Sequence, residues 1–370
     1  MRFLRWLKHI GSRRLSIGFI VICFIVLMIY LFASGEAAQL PHAFSWPRSL
    51  WLLLGAGSMV AGWFFEGWVL YEMGRGLEHP IPYKAAVRST MVVQFFNNIT
   101  PSSSGGQPMQ IWSLWRDGVP VGRASSVLLG KFAVYQAALV TCGMLGVFYA
   151  NDLFAQQIGG WVWLVVFGFV VQAAICAFLV AMIVKPTAVR RLVHFIARLL
   201  SRTKAHAFVD RHIVQVDTEL VRFETEALAL AGRPSLFIRT YLLTLIQLQS
   251  VLIVPYCICR AVGGTPSLLM ALSAAAATLI VSSSFPTPGA SGGAEGTFAL
   301  IFSLLLPAQS PVGIAVLLWR LLTFYFPLFA GMPFCIGAPK QENAQVAETV
   351  VTARAAVDAA VTKDASEKNG

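Results

Sequence analysis

Long apolar runs dominate the chain, and polar positions fall mainly between them. Residues 15–33, 50–71, 124–150, 161–184, 236–260 and 312–336 each approach or exceed the roughly 20 apolar residues that a membrane-spanning helix needs. Two further apolar segments, 85–112 and 267–306, are each interrupted by a helix-breaking stretch. The pattern predicts an all-α, polytopic helical membrane protein with six full spans.

The two interruptions are copies of one another. Thr100–Gly106 and Thr287–Gly293 both read T-P-x-x-S-G-G, at an offset of 187 residues (287 − 100). Charge placement decides how their segments run. The N-terminus carries Arg2, Arg5, Lys8, Arg13 and Arg14, and the linker 185–235 holds nine Lys/Arg against five Asp/Glu, so both belong on the cytoplasmic side. The stretch 34–47 has Glu36 and no Lys or Arg, and 151–160 has only Asp152, so both suit the outside. These placements agree only if 85–112 enters from the cytoplasm and returns to it. The second half then runs with the opposite sense, and 267–306 dips from the outside. The expectation is span, re-entrant hairpin, span in each half, as two oppositely oriented hairpins of an inverted repeat (about 50–150 and about 236–336), a layout that places transporter sites near the bilayer midplane. Both termini are then cytoplasmic, in a multi-pass protein of the inner (cytoplasmic) cell membrane.

The repeated loop carries its own chemistry. Proline stops a helix, and nearby Ser and Thr can satisfy the backbone groups it frees. A glycine pair lets backbone approach a ligand closely, and a half-helix starting after it aims free N–H groups at the break, which attracts anions. The expected polar lining is Asn97, Asn98, Thr100, Ser104, Gly105 and Gly106 from the first loop, and Thr287, Ser291, Gly292 and Gly293 from the second. The alternative is a pair of tight turns packed on neighbouring helices.

Few charges lie within the apolar segments. Lys131 and Arg320 follow the two loops at an offset of 189, close to that of the loops themselves. Glu295 directly follows the second loop, and Glu66 lies deep in the second span. A charge at a helix centre is costly enough to require a partner or water. Lys131, Arg320 and Glu295 are therefore candidate substrate-binding residues. Glu66 and Arg116 are candidate charge or proton partners, and structural salt bridges are the competing account.

Composition narrows the class. Only 12% of the 370 residues are charged, against about 25% in soluble proteins, and 57% are hydrophobic. The net charge of +11 sits just outside the apolar runs, which points to a membrane and not to nucleic acid. In the linker, "RRLVHFIARLLSR" spaces Leu192, Phe195, Ile196 and Leu199 as one helical face, which suits either contact with anionic lipid or packing on the membrane domain. The six cysteines all fall in apolar runs, with no His nearby in a metal-binding pattern, so no metal or cofactor is expected. The domains expected are a basic N-terminus at 1–14, a membrane domain at 15–338 and a mobile tail at 339–370.

The stretches "NNITPSSSGGQP", "FPTPGASGGAEG" and "LLWRLLTFYFPLFAG" resemble the membrane region of the lysylphosphatidylglycerol synthase/flippase family. The resemblance covers most of residues 10–338. It implies a helical domain that moves lipids between leaflets, and it rests on the two loops, Glu295 and Arg320, with Arg116 a weaker match. Gln107 follows the first glycine pair where many relatives carry Glu, which leaves Glu295 as the one loop carboxylate. The soluble aminoacyl-transfer domain of the bifunctional members is absent from this sequence. The family also includes stand-alone proteins associated with isoprenoid or hopanoid lipids, so the head group stays open.

The leading expectation is a lipid translocator for a phosphate-bearing or other polar-headed lipid, not an enzyme. The alternatives are a membrane-embedded transferase acting on a lipid phosphate, such as a glycosyltransferase, and a non-transporting partner of a separate lipid-synthesising enzyme. The sequence has no P-loop and no D-x-D triplet. Homo-oligomerisation is left open.

Overall fold

The computed structural model describes residues 48–76, 81–149, 162–185, 232–307 and 310–335, together with Ile25, Thr225 and Leu228. Nine helices form these segments: α1 Arg48–Arg75, α2 Tyr83–Ile99, α3 Gly106–Arg116, α4 Val121–Tyr149, α5 Val162–Val184, α6 Pro234–Ala261, α7 Leu268–Ser282, α8 Gly293–Ser303 and a composite α9, Val312–Cys335. Four of them are long and apolar enough to cross a membrane: α1, α4 over Val121–Gly146, α6 and α9. The expected span 161–184 is present as α5, a 23-residue helix that is apolar along its length apart from Gln172. Six full spans are not confirmed among the described residues. The first expected span (15–33), most of the basic linker, and the tail lie outside them.

Each interrupted segment forms two helices joined by the T-P-x-x-S-G-G loop. The arms have 17 and 11 residues in α2 and α3, and 15 and 11 in α7 and α8. At 1.5 Å per residue the longest arm reaches about 26 Å, short of the ~30 Å hydrocarbon core.

Packing follows the two halves. One apolar core joins α1, α2, α3 and α4 through Leu70, Met73, Ala86, Leu114 and Val127. The other draws mainly on α6 to α9 and borrows Met59 and Trp63 from α1 and Leu139 from α4. Small residues set the close approaches. A Cβ added at Gly62 of α1 would lie 3.4 Å from Ser250, and one at Gly146 of α4 would lie 3.2 Å from the Ser273 backbone. The run Ala274–Ala277 is buried throughout. Such contacts let helix backbones come together where lipid offers no hydrophobic drive to association. Aromatic stacking then ties α8 to α9: Phe298 lies 4.5 Å from Trp319 and 4.3 Å from Phe302, centroid to centroid. Outward-facing Leu53, Phe64, Phe167, Ile238 and Phe329 are more than half bare, as lipid-facing side chains are.

Helix α9 is not regular. Val312–Arg320 is α-helical, Leu321–Tyr325 forms a π-turn, and Phe326–Gly331 resumes the α-helix. Pro327 has no N–H to donate, and the Phe326 N–H reaches back five residues to Leu321 O. The irregular turn begins directly after Arg320.

Candidate functional site

The two loops have matching backbones. Ser102 and Ser103 hold φ of 51° and 53°, and their counterparts 187 positions later, Gly289 and Ala290, hold 56° and 54°. In each loop the residue after this pair donates its N–H to the proline carbonyl: Ser104 to Pro101 and Ser291 to Pro288. Two consecutive left-handed residues inside such a bond make a tight turn of the I′ kind, unusual for serine and alanine. The turns also meet: Pro101 and Pro288 pair in an antiparallel bridge. Segments 187 residues apart thus contact each other through equivalent prolines.

A threonine closes the neck of each turn. Thr100 Oγ1 donates to Phe96 O (2.7 Å) and accepts from the Gly105 N–H (2.9 Å). Thr287 Oγ1 donates to Ser291 O at 2.8 Å. The glycines are needed for different reasons. Gly292 has a φ of +84° and open space around it, whereas a Cβ at Gly105 would press on the Thr100 methyl at 2.5 Å. The second glycine of each pair lies under a side chain from just upstream, Gly106 under the Asn97 carboxamide and Gly293 under the Phe285 ring. At these two positions the close approach expected for a ligand is made by the protein itself. Asn98 turns back to Gln94 O at 2.7 Å. Pro101 to Ser104 are exposed, while Pro288 and Ser291 are buried.

The charged candidates resolve into two ion pairs. Arg320 Nη2 lies 2.8 Å from Glu295 Oε2, and Arg320 Nη1 donates to Gly289 O at 3.0 Å. Nη2 also points at Ala290 O, 3.5 Å away, and the guanidinium lies over Trp319 and Phe324 at 5.0 and 5.4 Å from the ring centroids. Glu295 Oε2 accepts in addition from the Gly292 N–H at 2.6 Å, the reach-back half of a capping box on α8. Arg320 thus grips the carbonyls of the second turn, and Glu295 closes the helix end behind it.

The second pair sits between the arms of the first hairpin. Lys131 Nζ lies 2.5 Å from Glu66 Oε1, and Gln94 Nε2 donates to the other Glu66 oxygen at 3.0 Å. Lys131 also reaches Gln110 Oε1 at 3.4 Å, and Gln110 Nε2 reaches Ser89 Oγ at 3.5 Å. This chain joins α1, α2, α3 and α4 in one buried network. Glu66 and Lys131 are 8% and 6% exposed, so each charge depends on the other. Lys131 faces the hairpin arms and not the second loop. Arg116 is buried with its guanidinium over Trp112 at 5.0 Å, and the neighbouring Asp117 pairs with Arg88 across the open end of the hairpin.

Sequence reasoning missed Gln94, Gln110 and Ser89. Two glutamines inside an apolar segment were the available signal, since a polar side chain at membrane depth calls for a partner. It also missed a second polar relay, Gln136 to Gln172 (2.9 Å) to Ser283 (2.8 Å), which links α4, α5 and the serine run ahead of the second loop.

Comparison with known proteins adds one family and one relative. The family described as the lysylphosphatidylglycerol synthase TM region matches residues 15–331. A UPF0104 membrane protein of Archaeoglobus fulgidus is 27% identical over 291 residues, covering 77% of this chain and 86% of that protein. No solved structure matches.

Proposed function

The chain belongs to the lysylphosphatidylglycerol synthase TM-region family, and from that premise we propose that it translocates a polar-headed lipid between membrane leaflets. The observation that carries the reading is the meeting of two equivalent turns at Pro101 and Pro288, with an ion pair beside each hairpin. Irregular backbone is tolerated at membrane depth only where protein buries it or a polar cavity is lined by it. Arms too short to cross support re-entrant hairpins, and the matching turn geometry supports an inverted repeat with its site at the midplane. On this reading the head group passes between the two turns while the acyl chains stay in lipid. Asn97, Asn98, Thr100, Ser104 and Gly105 line one side, and Thr287, Ser291 and Gly292 the other. Arg320 draws the head-group phosphate and Glu295 balances its charge, while the Lys131–Glu66 pair braces the first hairpin.

The protein works without covalent chemistry, in the cell membrane, with both termini in the cytoplasm. The excess of Lys and Arg in 185–235 would attract anionic lipid. The driving force comes from a gradient or from consumption of the lipid on the far side.

The test is leaflet exchange of fluorescent phospholipids in proteoliposomes of purified protein, read by dithionite quenching. Exchange above protein-free liposomes supports translocation. Absent exchange, combined with transfer of a sugar from an activated donor to a lipid phosphate, would replace it with the transferase reading.

A further inference from the structure

We infer that Glu295 is a tethered occupant of an anion site made by Arg320 and the Gly292 amide, and that the site's external ligand is a phosphate group. The inference rests on the translocation reading and names the substrate chemistry of that site.

The donors are already assembled. Arg320 is 5% exposed and is held by neutral groups, the Gly289 and Ala290 carbonyls and the faces of Trp319 and Phe324. None of these balances its charge. That falls to Glu295, which uses a single oxygen for both Arg320 Nη2 (2.8 Å) and the Gly292 N–H (2.6 Å). A guanidinium offers two parallel donors along its Nε–Nη2 edge and prefers to use both. Here Nη2 is engaged, while Nε is buried and has no hydrogen-bond partner among the described residues. The carboxylate therefore half-fills its site. A phosphate has enough oxygens to take Nε, Nη2 and the amide together, and it would sit at the start of α8, where the helix end favours an anion.

The layering fits displacement. The Glu295 side chain is 22% exposed and that of Arg320 only 7%, so the carboxylate stands between the cation and the outside. Glu295 lies in the first turn of α8 and can leave by a side-chain rotation without moving the helix. While in place it competes as a short-tethered anion at an effective concentration of order mM. The second loop is thus closed until a phosphate takes over Arg320.

The experiment measures binding to the full chain in detergent, using dihexanoyl phosphatidic acid, sodium phosphate and phosphate-free dihexanoylglycerol as probes. Glu295→Gln should tighten phosphatidic acid binding at least about tenfold, since the anionic competitor is gone. Adding Arg320→Lys, which lacks the two-donor edge, should remove that gain. An equal gain with sodium phosphate supports a site that reads phosphate itself, and a gain with phosphatidic acid alone assigns it to a lipid head group. No gain with either probe, or an equal gain with dihexanoylglycerol, overturns the inference. Glu295→Asp retains the charge on a shorter tether and serves if the amide variant does not fold; it should tighten binding several-fold, and unchanged binding overturns the inference equally. Leaflet exchange by the unaltered protein is measured alongside. Exchange without a phosphate gain sinks the tethered anion and leaves translocation standing, whereas a phosphate gain without exchange does the reverse.

Discussion

Removing Lys131 and Glu66 together should damage the protein less than the sum of removing each alone. The ammonium and carboxylate are 2.5 Å apart, and their side chains are 8% and 10% exposed. Lys131→Met leaves Glu66 with Gln94 as its remaining neighbour in the network, an almost unpaired charge between helices. Stranding one member of a buried pair costs ~3–5 kcal/mol in proteins generally. Polar contacts between membrane helices sit at the low end of such ranges, because the unfolded chain in the bilayer also finds partners. We expect about 3 kcal/mol for Lys131→Met. Glu66→Gln keeps an acceptor for Lys131 and should cost about 2 kcal/mol. The double variant Glu66→Gln/Lys131→Met strands no charge, so the two effects should couple by about 2 kcal/mol. The assay is reversible unfolding in mixed micelles, with all four proteins at matched detergent composition. Effects that add within about 0.5 kcal/mol would refute an interdependent pair.

Gly289 has a φ of +56° and its missing Cβ would overlap the Phe324 ring, so Gly289→Ala should destabilise by roughly 2–4 kcal/mol, read as a fall in melting temperature. Gly57 lies in α1 with open space around it, so Gly57→Ala should instead stabilise by roughly 0.5–1 kcal/mol. Thr100→Val leaves the Gly105 N–H without its acceptor and should cost about 1–3 kcal/mol, with faster amide hydrogen exchange confined to the first loop. Single cysteines placed in 151–160 and in 185–235 should label from opposite sides of the membrane, and labelling from the same side would overturn the proposed topology.

The two loops were legible because proline and glycine punctuate an apolar run in the same order twice. Their helices were legible too: the segment 85–112 became α2 and α3, and 267–306 became α7 and α8. The partners of the charges were not. Glu66 and Lys131 are 65 residues apart, and only the closing of α1, α2, α3 and α4 around one point brings them together. The left-handed Ser102 and Ser103 gave no signal by residue type, since serine rarely adopts that conformation. Their match to Gly289 and Ala290 in the repeat was the one available clue. The π-turn after Arg320 could be sensed from Pro327, but a proline inside an apolar span is also compatible with a continuous α-helix, as at Pro255 of α6.

Passage of the head group between the two turns is the central claim, and a reversible lock tests it most directly. Facing residues of an antiparallel bridge have Cα atoms about 4.5–5.5 Å apart, within the span of a disulfide. Pro101→Cys/Pro288→Cys, in a protein whose six native cysteines are replaced, should therefore cross-link on mild oxidation. In proteoliposomes the oxidised protein should lose most of its fluorescent-lipid exchange and regain it with reductant. A cross-link that forms fully and leaves exchange unchanged would contradict the account, because the head group would then have no need to pass between the turns.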